Sequence, residues 1–514
     1  MDINVIKCGA RYAAVDIISE KKLTPDKKVK VQLNDKELIL NDGVNFIDGL
    51  KPMTMYTLSA EDAEVSFMTQ SEYVTLDVRH FGAKGDGIND DTVFIQAAIM
   101  ACPPLGRVLI RKGNYKVTNI FLKSNVNIEL EEGAVLMADT ERFNHPIFPG
   151  MIQSYDEQSE YNLGTWEGNP LKMFAGIITG IDVKDVNIYG KGVIDGCASR
   201  ENWWYNEKVM VGAFRPRLLF LNRCNNISVT GVTFRNSPSW TVHPYFSKDI
   251  SFTGIRINNP GDSPNTDGID VESCKNVKIE GVHFTLGDDC IALKSGKIYT
   301  GKKYKEPSDN ILIRRCIMEN GHGAVTLGSE MSAGIKNVYV EDCLFKNTDR
   351  GLRIKTRRGR GELAVIDSIN FRNITMEGVK TPFVANCFYF CDPDGRTSYV
   401  QDRNAYPVDE RTPHIKQLAF EDIECKDCHH AAAFFMGLPE RKITSITMKN
   451  INVTFAENAQ LGYPAMLCGI EEMAGRGIIA ENVEELILEN VNISGYTGEL
   501  TEINNVDNYQ MKEN

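Results

Sequence analysis

Long apolar runs are missing from this 514-residue chain, and no stretch has the uninterrupted length of a membrane span. Residues 1–8 also lack a charged segment followed by an apolar one, the pattern of a leader peptide. A cytoplasmic location is therefore expected, unless a leader was removed. Positive charge is in deficit, with 57 Lys and Arg against 69 Asp and Glu and a net charge of −12. That balance argues against general binding to nucleic acid or an anionic membrane, whose binders present basic faces. Proline is sparse at 19 residues, and 42% hydrophobic with 25% charged residues describes an ordered chain. The 13 cysteines are an odd set, and Cys224, Cys274, Cys290, Cys316 and Cys343 fall where a small apolar side chain suits a repeat core. They are expected reduced and buried. Cys425 and Cys428 form a lone C-x-x-C, too little to call for zinc.

What is present is strand pattern. At this length one large domain and one small one are expected. Residues 1–72 hold short β-type runs, such as Lys28-Val29-Lys30-Val31-Gln32-Leu33, between turn residues, and read as a small β-sandwich. Residues 73–514 read as a second unit. It begins with Phe81-Gly82-Ala83-Lys84-Gly85-Asp86-Gly87 and a short helix that Asp90 or Asp91 can cap. From about residue 180 a unit recurs: a polar turn, an alternating strand and a small corner. It is clear at Asn225, Lys248 and Lys275, and returns near Asp309, Lys336, Ser368, Thr444 and Glu484. Such a period means a β-solenoid; the spacing of leucine-rich repeats is missing and propeller blades would be longer. Departures near 139–170, 391–414 and 455–475 are expected to be loops that wall a groove.

Four polar motifs interrupt the apolar repeats: Asn265-Thr266-Asp267-Gly268, Gly287-Asp288-Asp289-Cys290, Gly321-His322-Gly323 and Arg353-Ile354-Lys355. Equivalent positions in stacked coils lie about 5 Å apart, so the three carboxyls should converge, with His322 and the two cations extending the same stripe. Neighbours in a strand point to opposite sides, so a bulge is expected at Gly287 to turn Asp288 and Asp289 outward together. Glycoside hydrolysis needs one protonated and one ionised carboxyl, and clustering raises one member's pKa. A structural role, as Ca²⁺ ligands or turn-capping Asx residues, fits each Asp alone but not the set beside two cations. Six of the eleven residues 350–360 are basic, a cationic patch suited to an acidic substrate.

In this order the four motifs resemble the signature of the polygalacturonases, glycoside hydrolase family 28. Similar stretches are Gly192-Val193-Ile194-Asp195-Gly196, Trp203-Trp204, Arg215-Pro216-Arg217, and Asn236-Ser237-Pro238-Ser239-Trp240 with His243. The resemblance implies an all-β fold, a right-handed parallel β-helix of the pectin-lyase type behind the small β-sandwich. It also implies hydrolysis of α-1,4-galacturonosidic bonds in pectic polygalacturonate or oligogalacturonides, with inversion and with no cofactor or metal. Asp288 would be the general acid, Asp267 and Asp289 would activate water, and His322 would tune the acid. Arg353, Lys355, Tyr389, Asn265 and His243 would bind substrate, Phe388 having no hydroxyl to offer. Leu50, Pro52 and Tyr56 resemble the tyrosine corner of fibronectin type III domains, a module found ahead of bacterial exo-acting members, so exo action is expected. The alternatives are an endo-acting enzyme, a rhamnogalacturonan-type hydrolase, a Ca²⁺-dependent pectate lyase and a non-catalytic polysaccharide-binding β-helix. Oligomeric state is left open.

Overall fold

Strands with alternating apolar residues bury one face, and that alternation stacks this chain into coils. In Val126–Leu130 and Ala134–Ala138 every second side chain is buried. The computed structural model, which describes residues 1–153 and 160–512, joins such strands into one sheet of 35 parallel-paired strands. The coils build three ladders, and the architecture is a right-handed parallel β-helix. Register creates columns: Ile250, Val277, Ile311, Val338 and Ile369 pair in succession and are all buried. Near the start of these strands Asn276, Asn310 and Asn337 adopt left-handed backbone, which Asn tolerates. Their amides stack too: Asn310 donates to Asn276 Oδ1 and Asn276 to Asp249 Oδ1, both at 2.8 Å. Cys224, Cys274, Cys290, Cys316 and Cys343 are buried free thiols.

The helix Thr92–Ala101 covers the first coils with Ile95, Ala98 and Ile99, so the apolar end of the solenoid does not meet water. Asp91 holds the N-cap position without capping, because its carboxylate accepts from the Lys84 and Gly85 amides at 2.7 and 2.9 Å. Asp90 takes the Thr92 amide instead, at 2.9 Å. Of the loop expected over 139–170, residues 154–159 lie outside the described residues. The flanking parts pair as short antiparallel strands, Met151–Gln153 with Glu160–Asn162 and Ile147–Phe148 with Met173–Phe174.

Ahead of the solenoid stand two antiparallel sheets. One joins Asp2–Cys8, Ala13–Ile18 and Gly43–Ile47; the other joins Lys28–Leu33, Lys36–Asn41, Met55–Ala60 and Ala63–Met68. The Tyr56 hydroxyl accepts from the Lys51 amide at 3.0 Å, pinning the corner between them. Val74–Asp77 is the first strand in sequence to join the parallel sheet. The sheets dock through Tyr12, stacked 4.6 Å from Tyr189, and through Arg315. That guanidinium is buried and meets Asp16 Oδ1 at 3.1 Å, Asp42 Oδ2 at 3.3 Å and the Ile17 carbonyl at 2.9 Å. Removing one partner of a buried ion pair leaves an uncompensated charge. Arg315→Ala is expected to cost roughly 3–5 kcal/mol, read as an earlier unfolding transition in denaturant, and an unchanged midpoint would show that docking is carried elsewhere.

Candidate active site

One ladder carries Ile269–Glu272, Ile291–Lys294, Val325–Gly328 and Arg350–Lys355 in consecutive coils. Asp267, the pair Asp288 and Asp289, and His322 each lie at the corner that precedes its strand, so stacking brings them together. Oxygens of the three carboxyls lie within 4.8 Å of one another. The bulge expected at Gly287 does not form. Gly287 and Asp288 occupy a bend between His283–Thr285 and Ile291–Lys294, outside the ladder, and a bend turns both carboxylates into the cavity without disturbing strand pairing. Glycine is required there, since a Cβ would lie 1.8 Å from the Gly261 carbonyl oxygen.

Asp289 is buried and doubly clamped. Arg353 donates to its Oδ1 at 2.7 Å and Lys355 to its Oδ2 at 2.8 Å. Burial raises its pKa, but the Lys355 and Arg353 charges outweigh burial and hold it ionised far below the usual carboxyl range. Asp267 has no such clamp: burial, then Asp288 and Asp270, push it well above that range. Asp288 is the most exposed of the three, at 23%. Burial raises it too, but the hydrogen bond and charge of His322, with Nδ1 at 3.3 Å, together with the Lys355 charge leave it below its ordinary value. The cluster therefore pulls its members apart, Asp267 and His322 upward and Asp288 and Asp289 downward. The resemblance gives the acid proton to Asp288, and the contact with His322 draws that carboxyl downward in the free site. As for metals, both oxygens of Asp289 are taken and Lys294 acts on Asp267, so a divalent ion among these carboxyls would meet fixed positive charges.

The carboxyls open into a cavity of about 960 Å³ that is also lined by Arg353, Lys355, Tyr389 and Asn265. Tyr389 stands beside Lys355, whose Nζ is 5.6 Å from the ring centre. Asn265 is fixed by Arg215, which donates to its Oδ1 at 2.7 Å. His243 is not in the cavity. It is completely buried, with Nε2 2.9 Å from Glu272 Oε2 and Trp240 packed edge-on at 5.0 Å, so it supports the floor and cannot touch substrate. Its strand position points outward, but residues 162–165 cover that part of the sheet, where Asn222 donates to the Asn162 carbonyl and Arg217 to that of Thr165. Trp204 is likewise buried, donating to the Ser237 carbonyl at 3.1 Å. The basic run divides: Arg350, Arg353 and Lys355 face the cavity, whereas the buried guanidinium groups of Arg357, Arg358 and Arg360 pair with Asp394, Glu440 and Asp392.

Sequence reasoning missed Lys294 and Glu330. Buried Lys294 lies 3.0 Å from Glu330 Oε2, 3.6 Å from Asp270 Oδ1 and 4.4 Å above the Trp240 ring. Burial lowers its pKa, but Glu330 and Asp270 outweigh this and keep it charged. The signal for Lys294 was its place two residues after Ala292, an outward position on the strand that follows the paired carboxylates.

Residues 138–467 match the model of the glycosyl hydrolases family 28. The chain belongs to this family. A probable polygalacturonase of Vitis vinifera is 32% identical over 390 residues, 74% of either chain. The exo-poly-alpha-D-galacturonosidase of Dickeya chrysanthemi is 26% identical over 402 residues, 69% of this chain and 65% of that protein. Among solved structures, the family 28 exopolygalacturonase of Yersinia enterocolitica superposes with a TM-score of 0.72 at 19% identity, covering 99% of this chain and 98% of the other. The exopolygalacturonase of Thermotoga maritima gives 0.66 at 23% identity, covering 82% and 93%. These superpositions speak to the fold.

Within this family 28 site the His322–Asp288 pair has a defined pH sense. The hydrogen bond to Asp288 raises the imidazole above 6.5, so the pair's stabilisation is complete below that pH and fades as pH rises through the raised value. Titration of His322 by NMR is expected to show a pKa above 6.5 that falls in Asp288→Asn. A pKa indifferent to that substitution would separate the two groups.

Proposed function

We propose that this family 28 enzyme hydrolyses α-1,4-galacturonosidic bonds in polygalacturonate and oligogalacturonides, acting from chain ends and releasing galacturonate with inversion. The observation that carries this reading is the meeting of three carboxyls with Arg353 and Lys355 in one cavity, acid–base chemistry beside cations that suit a uronate. A bound uronate carboxylate near His322, Arg353 and Lys355 offsets the positive charge that keeps Asp288 ionised. The proton of Asp267 then passes to Asp288, which faces the cavity and gives it to the glycosidic oxygen as the C1–O bond breaks. Asp267, now a carboxylate, joins Asp289 in taking a proton from the water that attacks C1 on the opposite face. The cluster's oxygens are closer than the roughly 6.5–9.5 Å of a usual inverting pair, and a water held jointly by two of three carboxyls is our account of that difference.

Exo action is supported by the Dickeya relative and by the seven antiparallel strands ahead of the solenoid, which we read as a fibronectin type III-like module. It is supported too by the loop through Glu167, whose side chain lines the cavity. The next carbonyl, Gly168, accepts from the Lys297 amide and the Thr300 hydroxyl at 3.0 Å each, which fixes the loop as a wall.

Oligogalacturonides digested with EDTA present are expected to yield monogalacturonate from the start, with the β-anomer formed first by NMR. Mixed oligomers would make the enzyme endo-acting, a first-formed α-anomer would make it retaining, and an unsaturated product whose formation EDTA stops would make it a lyase. Asp288→Asn is expected to lose roughly 10²–10⁴-fold in kcat while melting as the parent does. Full activity in that variant would remove Asp288 from the acid role.

A further inference from the structure

Almost every cation that faces the cavity already has an acidic partner. Arg353 and Lys355 hold Asp289, and Lys294 holds Glu330. Arg350 and Lys380 share Asp349, at 3.3 and 2.8 Å. His322 faces Asp288, and burial lowers His430 to about 4, leaving it neutral. Arg396 is different: it lines the cavity, is exposed, and among the described residues has no carboxylate within ion-pair distance. The acids beside it in sequence are engaged elsewhere, Asp392 by Lys297 and Arg357, and Asp394 by Arg357.

An arginine on a solvated loop would also lack a partner, but it would not be braced. The Arg396 guanidinium lies 3.9 Å above the Phe390 ring, the residue after Tyr389, and Nη1 reaches Cys468 Sγ at 3.8 Å. The loop beneath it is stapled by Gln401, whose Nε2 donates to the carbonyls of Phe388 and Gly395 at 2.7 Å and whose Oε1 accepts from the Cys468 amide at 2.9 Å. Arg403 donates to the Cys468 carbonyl at 2.9 Å, so the two loops that wall this side of the cavity are tied together around Arg396. A fixed, uncompensated guanidinium in an open cavity is a ready partner for a planar anion, and its fork matches a carboxylate.

We infer that Arg396 forms a second uronate subsite, holding the carboxylate of a sugar away from the bond that is cut and setting the preference for longer oligogalacturonides. The inference rests on the proposed action on galacturonan. Its test compares kcat/KM on di-, tri- and tetragalacturonate for the full-length enzyme and for R396A, R396Q and R396K. Expected in R396A and R396Q is a loss on the tri- and tetrasaccharide about tenfold greater than on the disaccharide, mainly through KM, with R396K recovering most of it. Where R396A melts early, R396Q and R396K decide alone, since both keep a stem over Phe390 and only one keeps the charge. An active parent whose tri-to-disaccharide ratio is unchanged in R396Q overturns the Arg396 subsite and leaves the functional reading standing. A parent inert on all three sugars overturns the reading beneath it.

Discussion

Parallel strand pairing at one fixed spacing is the constraint on which the rest of this molecule depends. When each coil hydrogen-bonds to the next in register, a residue type repeated at one position becomes a column, whether Ile250 over Val277 or Asn310 over Asn276. The apolar columns make the core and the Asn columns close the turns. The same rule that stacks aliphatic side chains stacks carboxylates. Asp267 and the Asp288–Asp289 pair meet because they stand at the same corner of adjacent coils, and nothing else in the chain needs to bring them there.

Like charges so stacked would repel, and the columns beside them supply the counter-charge. Arg353 and Lys355 come from the strand two coils further along and spend their hydrogen bonds on Asp289. That clamp holds one carboxylate ionised while burial raises Asp267 and His322 lowers Asp288, which is the asymmetry that acid–base work requires. It also means that Arg353 and Lys355 meet a substrate already partly neutralised. Recognition of a polyanion then calls for cations without internal partners, and the inserted loops, not the coils, are where such a cation stands.

The legible part of the site was the part that repeats. Asp267, Asp288, Asp289 and His322 could be read because chemistry-bearing residues interrupted apolar coils at one coil's spacing. His243 was misread for a definite reason: strand alternation tells that a side chain points outward, not that a loop lies over it. Residues 350–360 were misread in the opposite way. Their charge was visible, but the acids that absorb Arg357, Arg358 and Arg360 come from residues 392, 394 and 440, too far along the chain to be seen as partners. The bend at Gly287 gave way to no pattern either, because the contact that demands it, with the Gly261 carbonyl, is made by a neighbouring coil.

By itself, then, the sequence determined the coil, the column and the identity of the groups that would meet, because periodicity and spacing are properties of the chain alone. The tertiary structure decided in which direction each of those groups' pKa moves, which cations remain free, and which outward side chains see water. Those depend on burial and on partners brought from distant segments, and electrostatic energies in a low-dielectric interior are set by such neighbours rather than by residue type.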